Sequence, residues 1–150
     1  MKIIKYITFI MLLSIGVVLE VQAKRIKVPK VYVCGFSASF NDSLVYFTDI
    51  QEVKDVWIDT KTKFLLGREH YSYQLKEYFT DSLQMNDRVC LVFYDLNKSK
   101  VKKKFEKMRK KYLPNPKKNK KNQEGNGFYE IRYLSSPDFK FQAVDMAPEQ

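Results

Sequence analysis

The sequence predicts an α+β domain: a mainly antiparallel sheet with two main helices packed on one face, in the order ββ-α-β-α-ββ. Three observations lead there. Aromatic and β-branched residues crowd two short runs, 31–40 and 43–50. Apolar residues recur at helical spacing over 68–83 and 99–112. Residues 88–94, 128–134 and 139–144 carry the composition or the alternation of strands.

The chain opens with MKIIKYITFIMLLSIGVVLEVQA. Lys2 and Lys5 give a basic start, an apolar run extends from Tyr6 to Leu19, and Val21-Gln22-Ala23 fits a small-x-Ala cleavage site. That is the layout of a secretory signal peptide over 1–23. Its apolar part is short for a membrane span, which needs roughly 20 residues. The expectation is an exported protein whose mature chain starts at Lys24, with no further membrane span. Residues 24–150 then form a single domain, long enough for a core of its own. An aromatic content of 15% favours a folded chain over a disordered one.

The first two strands, VYVCGFSASF and SLVYFTDI, are separated by Asn41-Asp42. Both residues tolerate positive φ, so a two-residue hairpin turn is expected. That turn pairs Phe40 with Ser43, Ala38 with Val45 and Phe36 with Phe47 on one face. On the other face it pairs Ser39 with Leu44, Ser37 with Tyr46 and Gly35 with Thr48. Beyond it, Thr48 or Asp49 with Gln51 or Glu52 three residues on resembles a helix start, with Ile50, Val53 and Trp57 on one helical face. TKTKFLL reads as a short strand or an extended connection.

Tyr71, Leu75, Tyr78, Phe79 and Leu83 form the apolar stripe of the first long helix. His70, Tyr73 and Glu77 fall on its outer side. RVCLVFY is continuously apolar, which predicts a central strand covered on both faces. Asn97 or Ser99 caps the second helix, 99–112, whose narrow stripe is Val101, Phe105, Met108 and Tyr112. Pro114 and Pro116 end it. Residues 113–127 are polar, turn-rich and basic, which predicts a mobile loop. FYEIRYL and FKFQAV, joined by Ser136-Pro137-Asp138, predict a closing hairpin. The residues expected to be buried together are Phe36, Val45, Phe47, Leu75, Phe79, Leu91, Phe93, Phe105 and Ile131.

Charge is concentrated in one place. Removing Lys2, Lys5 and Glu20 from totals of 27 basic and 17 acidic residues leaves 25 against 16. Residues 98–121 alone hold 13 lysines and arginines and one acid, Glu106. The rest of the mature chain is slightly acidic. Such clustering raises the local potential and attracts anions. The candidate anion-binding residues are Lys102, Lys103, Lys107, Arg109, Lys110 and Lys111. Partners consistent with export are an anionic envelope lipid, an acidic glycan or an acidic protein. Nucleic-acid recognition normally interleaves arginine and exposed stacking aromatics with lysine. Here Arg109 is the one arginine of the cluster, and Phe105 and Tyr112 lie on the buried stripe.

Other chemistry finds little support. GFSAS, 35–39, approaches the G-x-S-x-G turn that presents a hydrolase serine. That turn needs strand, sharp turn and helix in succession, whereas Ser37 runs on into a second strand. Ser39 also stands where the closing glycine belongs, and His70 is the one histidine available as a base. A secreted hydrolase using Ser37 and His70, with Asp42 or Asp49, is the alternative reading. Asp49, Glu52, Asp55 and Asp59 lack a calcium-loop glycine and fit a solvated face. No metal or cofactor is expected, and no catalytic set is assigned. Cys34 and Cys90 both fall in strands. Export permits a disulfide between them, and two buried thiols is the other reading.

GFSASFNDSLVYFTDIQ and CLVFY with the later KKKFEKMRKKY resemble the small exported, lysine-rich proteins of unknown function in Bacteroides-type gut bacteria. The resemblance implies the periplasm or outer envelope of a Gram-negative cell, and no activity. The expectation is a non-catalytic binding or structural module of the envelope.

Overall fold

The ladder between β1 (Arg25–Ala38) and β2 (Leu44–Thr48) has the register that the sequence predicts, with Phe36 opposite Phe47, Ser37 opposite Tyr46 and Ala38 opposite Val45. This is a computed structural model that describes residues 24–114 and 128–148. The signal-peptide expectation and most of the basic loop, from 115 onward, lie outside those residues. The turn is wider than expected. The ladder stops at Ala38–Val45, so the expected pair Phe40–Ser43 does not form and Phe40 is 98% exposed. Ser39 Oγ accepts from Asn41 N at 3.0 Å, and Asp42 Oδ1 accepts from Leu44 N at 2.8 Å. These local side-chain bonds replace the last rungs of the ladder.

The segment expected to be helical is instead β3 (Gln51–Asp59), antiparallel to the first half of β1. Between the pairs Phe36–Phe47 and Val33–Gln51, β1 spends two residues and its partner three. That extra residue is a bulge, which turns the later side chains to the opposite face. A second break sits at Pro29 and Asp55. Proline has no N–H to donate, and Asp55 has φ 55°. The buried positions of β3 are therefore 51, 53, 56 and 58, with Asp59 buried at its end. The step of three in a strand is what resembles a helical period. Asp59 closes the next turn by accepting from Lys61 N, Thr62 N and Thr62 Oγ1 at 2.7–2.9 Å. The bonds from Thr62, ahead of that from Lys61, hold its carboxyl below the usual carboxylate range.

The first helix, α1 (Arg68–Glu77), starts after Gly67 at φ 67° and widens into a π turn over Tyr78–Ser82. Tyr71, Leu75 and Phe79 are buried as expected. The wider turn rotates the end of the helix, so Leu83 drops out of the stripe and is exposed. Then come β4 (Val89–Asp95), α2 (Lys98–Tyr112) and β5 (Glu130–Leu134). β4 pairs antiparallel with β1, from Ala38–Val89 to Tyr32–Asp95. Among the described residues it has no strand on its other side, so it is an edge and not the expected central strand. Leu91, expected in the core, is 44% exposed.

The closing hairpin does not form either. β5 runs parallel to β2, with Val45 opposite Ile131. The reason is α2. A 15-residue helix carries the chain back roughly 22 Å, so the strand after it runs in the direction of β4 and hence of β2. The turn expected at Ser136–Asp138 is present, with Asp138 N donating to Ser135 O. Residues 139–144 then form an extended segment with no strand partner. Gln51 Nε2 donates to Phe139 O, and Gln51 Oε1 accepts from Phe141 N. Gln74 holds Gln142 through the same pair of bonds. Two glutamine amides thus take the place of a neighbouring strand and seat Phe139 and Phe141 in the core.

The result is an α+β fold with a five-stranded, mostly antiparallel sheet. The helices lie on opposite faces of it, not on one. Val31, Val33, Tyr46, Val53, Tyr71, Leu75 and Phe79 form one cluster under α1. Phe36, Val45 and Phe47 form the other, packed against Phe105, Met108 and Tyr112 of α2. Phe93 and Ile131 are partly buried in that second cluster. Gly35 is needed where the first cluster crosses β1. A methyl group there would sit 2.7 Å from Leu75 Cδ2 and 3.1 Å from Phe141 Cζ.

Candidate anion-binding face

The basic helix begins at Asn97, whose side chain accepts from Ser99 N at 2.8 Å. Such a cap supplies a partner to one of the free N–H groups of the first turn. Val101 is fully buried, and Phe105, Met108 and Tyr112 continue its stripe. Phe105 meets Phe47 edge-on at 5.0 Å, and Tyr112 meets Phe36 at 5.3 Å. With that stripe held down, the remaining helical positions face outward. Nine of the 15 residues are lysine or arginine, against Glu106 alone.

The structure divides the sequence-predicted residues into two groups. Lys102, Lys103, Lys107 and Lys110 are exposed and share one face, where with Ser99 and Glu106 they line an open depression of about 490 Å³. Lys111 is exposed beside them in the last turn. Arg109 is engaged elsewhere. Its Nε and Nη2 donate to Glu106 Oε2 at 3.2 and 2.8 Å, and this pairing, with Tyr133, raises its already high pKa. Basic residues in the last turn also complement the negative end of the helix dipole.

Ser37 lies within β1, one residue before its end, and is fully buried. Its hydroxyl oxygen accepts from Arg88 Nε at 3.0 Å and lies 3.5 Å from Cys90 Sγ. Arg88 reaches it across the ring of Phe79, 5.2 Å away. His70 stands nine positions before Phe79, on the exposed side of α1, roughly 13 Å away at the rise of a helix. Among the described residues no hydrogen bond joins His70 to Ser37, whose hydroxyl is taken up by Arg88 and Cys90. The four acids considered for a metal are also apart in role. Asp49 accepts from Ser136, Glu52 pairs with Lys30, Asp55 is exposed, and Asp59 closes its turn.

Arg88 is the residue that sequence reasoning missed. Nη1 donates to Asp42 Oδ2 at 2.9 Å and Nη2 to Leu44 O at 2.6 Å, and the guanidinium stacks on Tyr46 at 4.9 Å. The one signal in the sequence is an arginine placed directly before an apolar strand.

Both cysteines are free. Cys34 shares the face of Phe36, whereas Cys90 is opposite Ser37 and points to the other face. The permitted disulfide is therefore not made. Burial pushes the Cys34 thiol up to about 12, against a smaller lowering by the Thr48 side chain; Sγ donates to Thr48 O at 3.3 Å. A raised thiol pKa stabilises the fold below the unfolded value. That contribution is lost as pH rises from roughly 8.5 toward 12, because the unfolded chain ionises there and the folded chain does not. Urea titrations at increasing alkaline pH should show stability falling, and Cys34→Ala should flatten that fall. Equal pH slopes in both proteins would mean that the thiol is not held neutral by the fold.

Comparison with protein-family models, with curated proteins and with solved structures finds no match to this chain. Fold and geometry together define an α+β domain that carries one lysine-rich helix on the outside of its sheet.

Proposed function

We propose that this is an exported, non-catalytic binding module of the cell envelope, in the periplasm or outer envelope, and that α2 presents its lysines to anionic partners. The supporting observation is the separation of duties on α2. One stripe anchors the helix to the sheet, while Lys102, Lys103, Lys107 and Lys110 stand together on another. Lysine ammonium groups are flexible point charges, suited to diffuse attraction more than to shaped recognition. Phosphorylated lipid headgroups and acidic glycans fit that chemistry.

The test replaces Lys102, Lys103, Lys107 and Lys110 together by glutamine. Binding to vesicles with anionic lipid, and to an acidic polysaccharide, should weaken about a hundredfold at low salt. The parent should also lose affinity steeply as salt rises, since charges are screened over roughly 8 Å at physiological ionic strength. The thermal midpoint should not move, because the buried stripe is untouched. A quadruple variant that binds like the parent at low salt would reduce the lysines to a solubility role.

A further inference from the structure

We propose that the outer edge of β4 takes up an extended, acidic segment of another protein as an added strand. The proposal uses a different surface from the outer face of α2 and does not depend on polyanion binding there. Lys104 Nζ donates to Tyr94 O at 2.8 Å, so that carbonyl points away from β1. Antiparallel pairing alternates inward and outward groups, which places the backbone polar groups of Cys90 and Val92 outward as well. Among the described residues no strand pairs with them. Exposed edges are commonly blunted by proline, a bulge or inward-pointing charge. β4 has the sequence VCLVFYD and an unbroken register against β1, so it carries none of these. Lys104 guards only its far end.

A groove of about 570 Å³ runs beside this edge, lined among others by Lys63, Phe64, Val92, Tyr94, Lys100 and Lys104. Phe64 and Leu96 are exposed apolar surface in it. Its charge selects the occupant. Three lysines face one carboxylate, Asp95, which Lys104 already approaches at 3.5 Å. A lipid or a glycan has no peptide groups to satisfy a strand edge. A second copy of this chain is disfavoured by charge, since pairing β4 with itself would bring together two α2 helices of nine basic residues and one acid each. An acidic strand meets both demands. Its carboxylates draw Lys104 from Tyr94 O, its N–H takes that carbonyl, and its alternate apolar side chains rest on the groove.

The probe is a synthetic heptapeptide alternating glutamate and valine, compared with its lysine–valine counterpart. The acidic peptide should bind and slow amide exchange at Cys90, Val92 and Tyr94, and the basic one should do neither. Val92→Pro should abolish this binding with little change in thermal midpoint, because the Val92 N–H gives no bond to β1. Lys104→Gln should weaken the acidic peptide about tenfold. The quadruple lysine variant of α2 should still protect the same three amides, which separates this proposal from polyanion binding by the helix. Slow exchange of those amides in the free protein, or a dimer by sedimentation that buries them, would overturn it. So would peptide binding that Val92→Pro leaves intact. Should the proline variant lose its fold, the exchange pattern in the parent protein decides.

Discussion

Replacing Arg88 by alanine is expected to lower the unfolding free energy by about 3–5 kcal/mol. The side chain is buried, and every arm of its guanidinium is engaged. Nε donates to Ser37 Oγ, Nη1 to Asp42 Oδ2 and Nη2 to Leu44 O. The rings of Tyr46 and Phe79 stack on it at 4.9 and 5.2 Å. Alanine leaves a cavity between those rings and removes the donors from the buried Ser37 hydroxyl and from the part-buried Asp42 and Leu44 oxygens, a buried acceptor costing about 1–3 kcal/mol when orphaned. Methionine would refill the volume but not the hydrogen bonds, so Arg88→Met should cost less than alanine and still be clearly destabilising. Arg88→Lys should also fall short, because one ammonium cannot copy a planar fork. Asp42 is about one-third exposed, so a double-mutant cycle with Asp42→Ala should give a coupling of only about 1 kcal/mol. Urea unfolding reads these values as midpoint shifts at constant slope. A loss below about 1 kcal/mol for Arg88→Ala would mean that the guanidinium is not the clamp between β1, β2 and the π turn.

Phe47→Ala should cost a similar amount, about 3–5 kcal/mol, with a different local consequence. Phe47 is fully buried and sits among Phe36 at 5.3 Å, Phe105 at 5.0 Å and Tyr133 at 6.5 Å. With Phe36, which meets Tyr112, it is one of the two rings through which the sheet holds the basic helix. Native-state hydrogen exchange should therefore quicken in α2 more than in α1. Phe79→Ala, on the opposite face, should do the reverse. If both substitutions loosen the two helices equally, the sheet does not separate two cores, and the lysine face is not positioned independently of α1.

Much of this fold is legible in the sequence wherever one local period persists. The stripe Val101, Phe105, Met108 and Tyr112 identifies the basic helix and its buried side. Alternation and turn length place Phe36 opposite Phe47, and with that Ser37 inside the ladder opposite Tyr46. β3 is not legible because a bulge and a break at Pro29–Asp55 mix steps of two and three among its buried positions. The segment 139–144 alternates like a strand, yet its backbone groups are met by Gln51 and Gln74, whose side-chain amides leave no periodic signature. Leu91 misleads for a related reason. A continuous apolar run describes a central strand and an uncovered edge equally well.

By itself the sequence determined the class of the fold, the hairpin register and the concentration of positive charge on one helix. These arise from contacts between residues close in the chain, where periodicity and turn chemistry act directly. The tertiary structure alone decided that the helices take opposite faces, that β5 runs parallel to β2, that β4 is an edge, and that Arg88 ties Ser37 to Asp42 and Leu44. Each of these depends on partners brought together from distant parts of the chain. Its free energy comes from burying and satisfying groups that no local pattern pairs in advance.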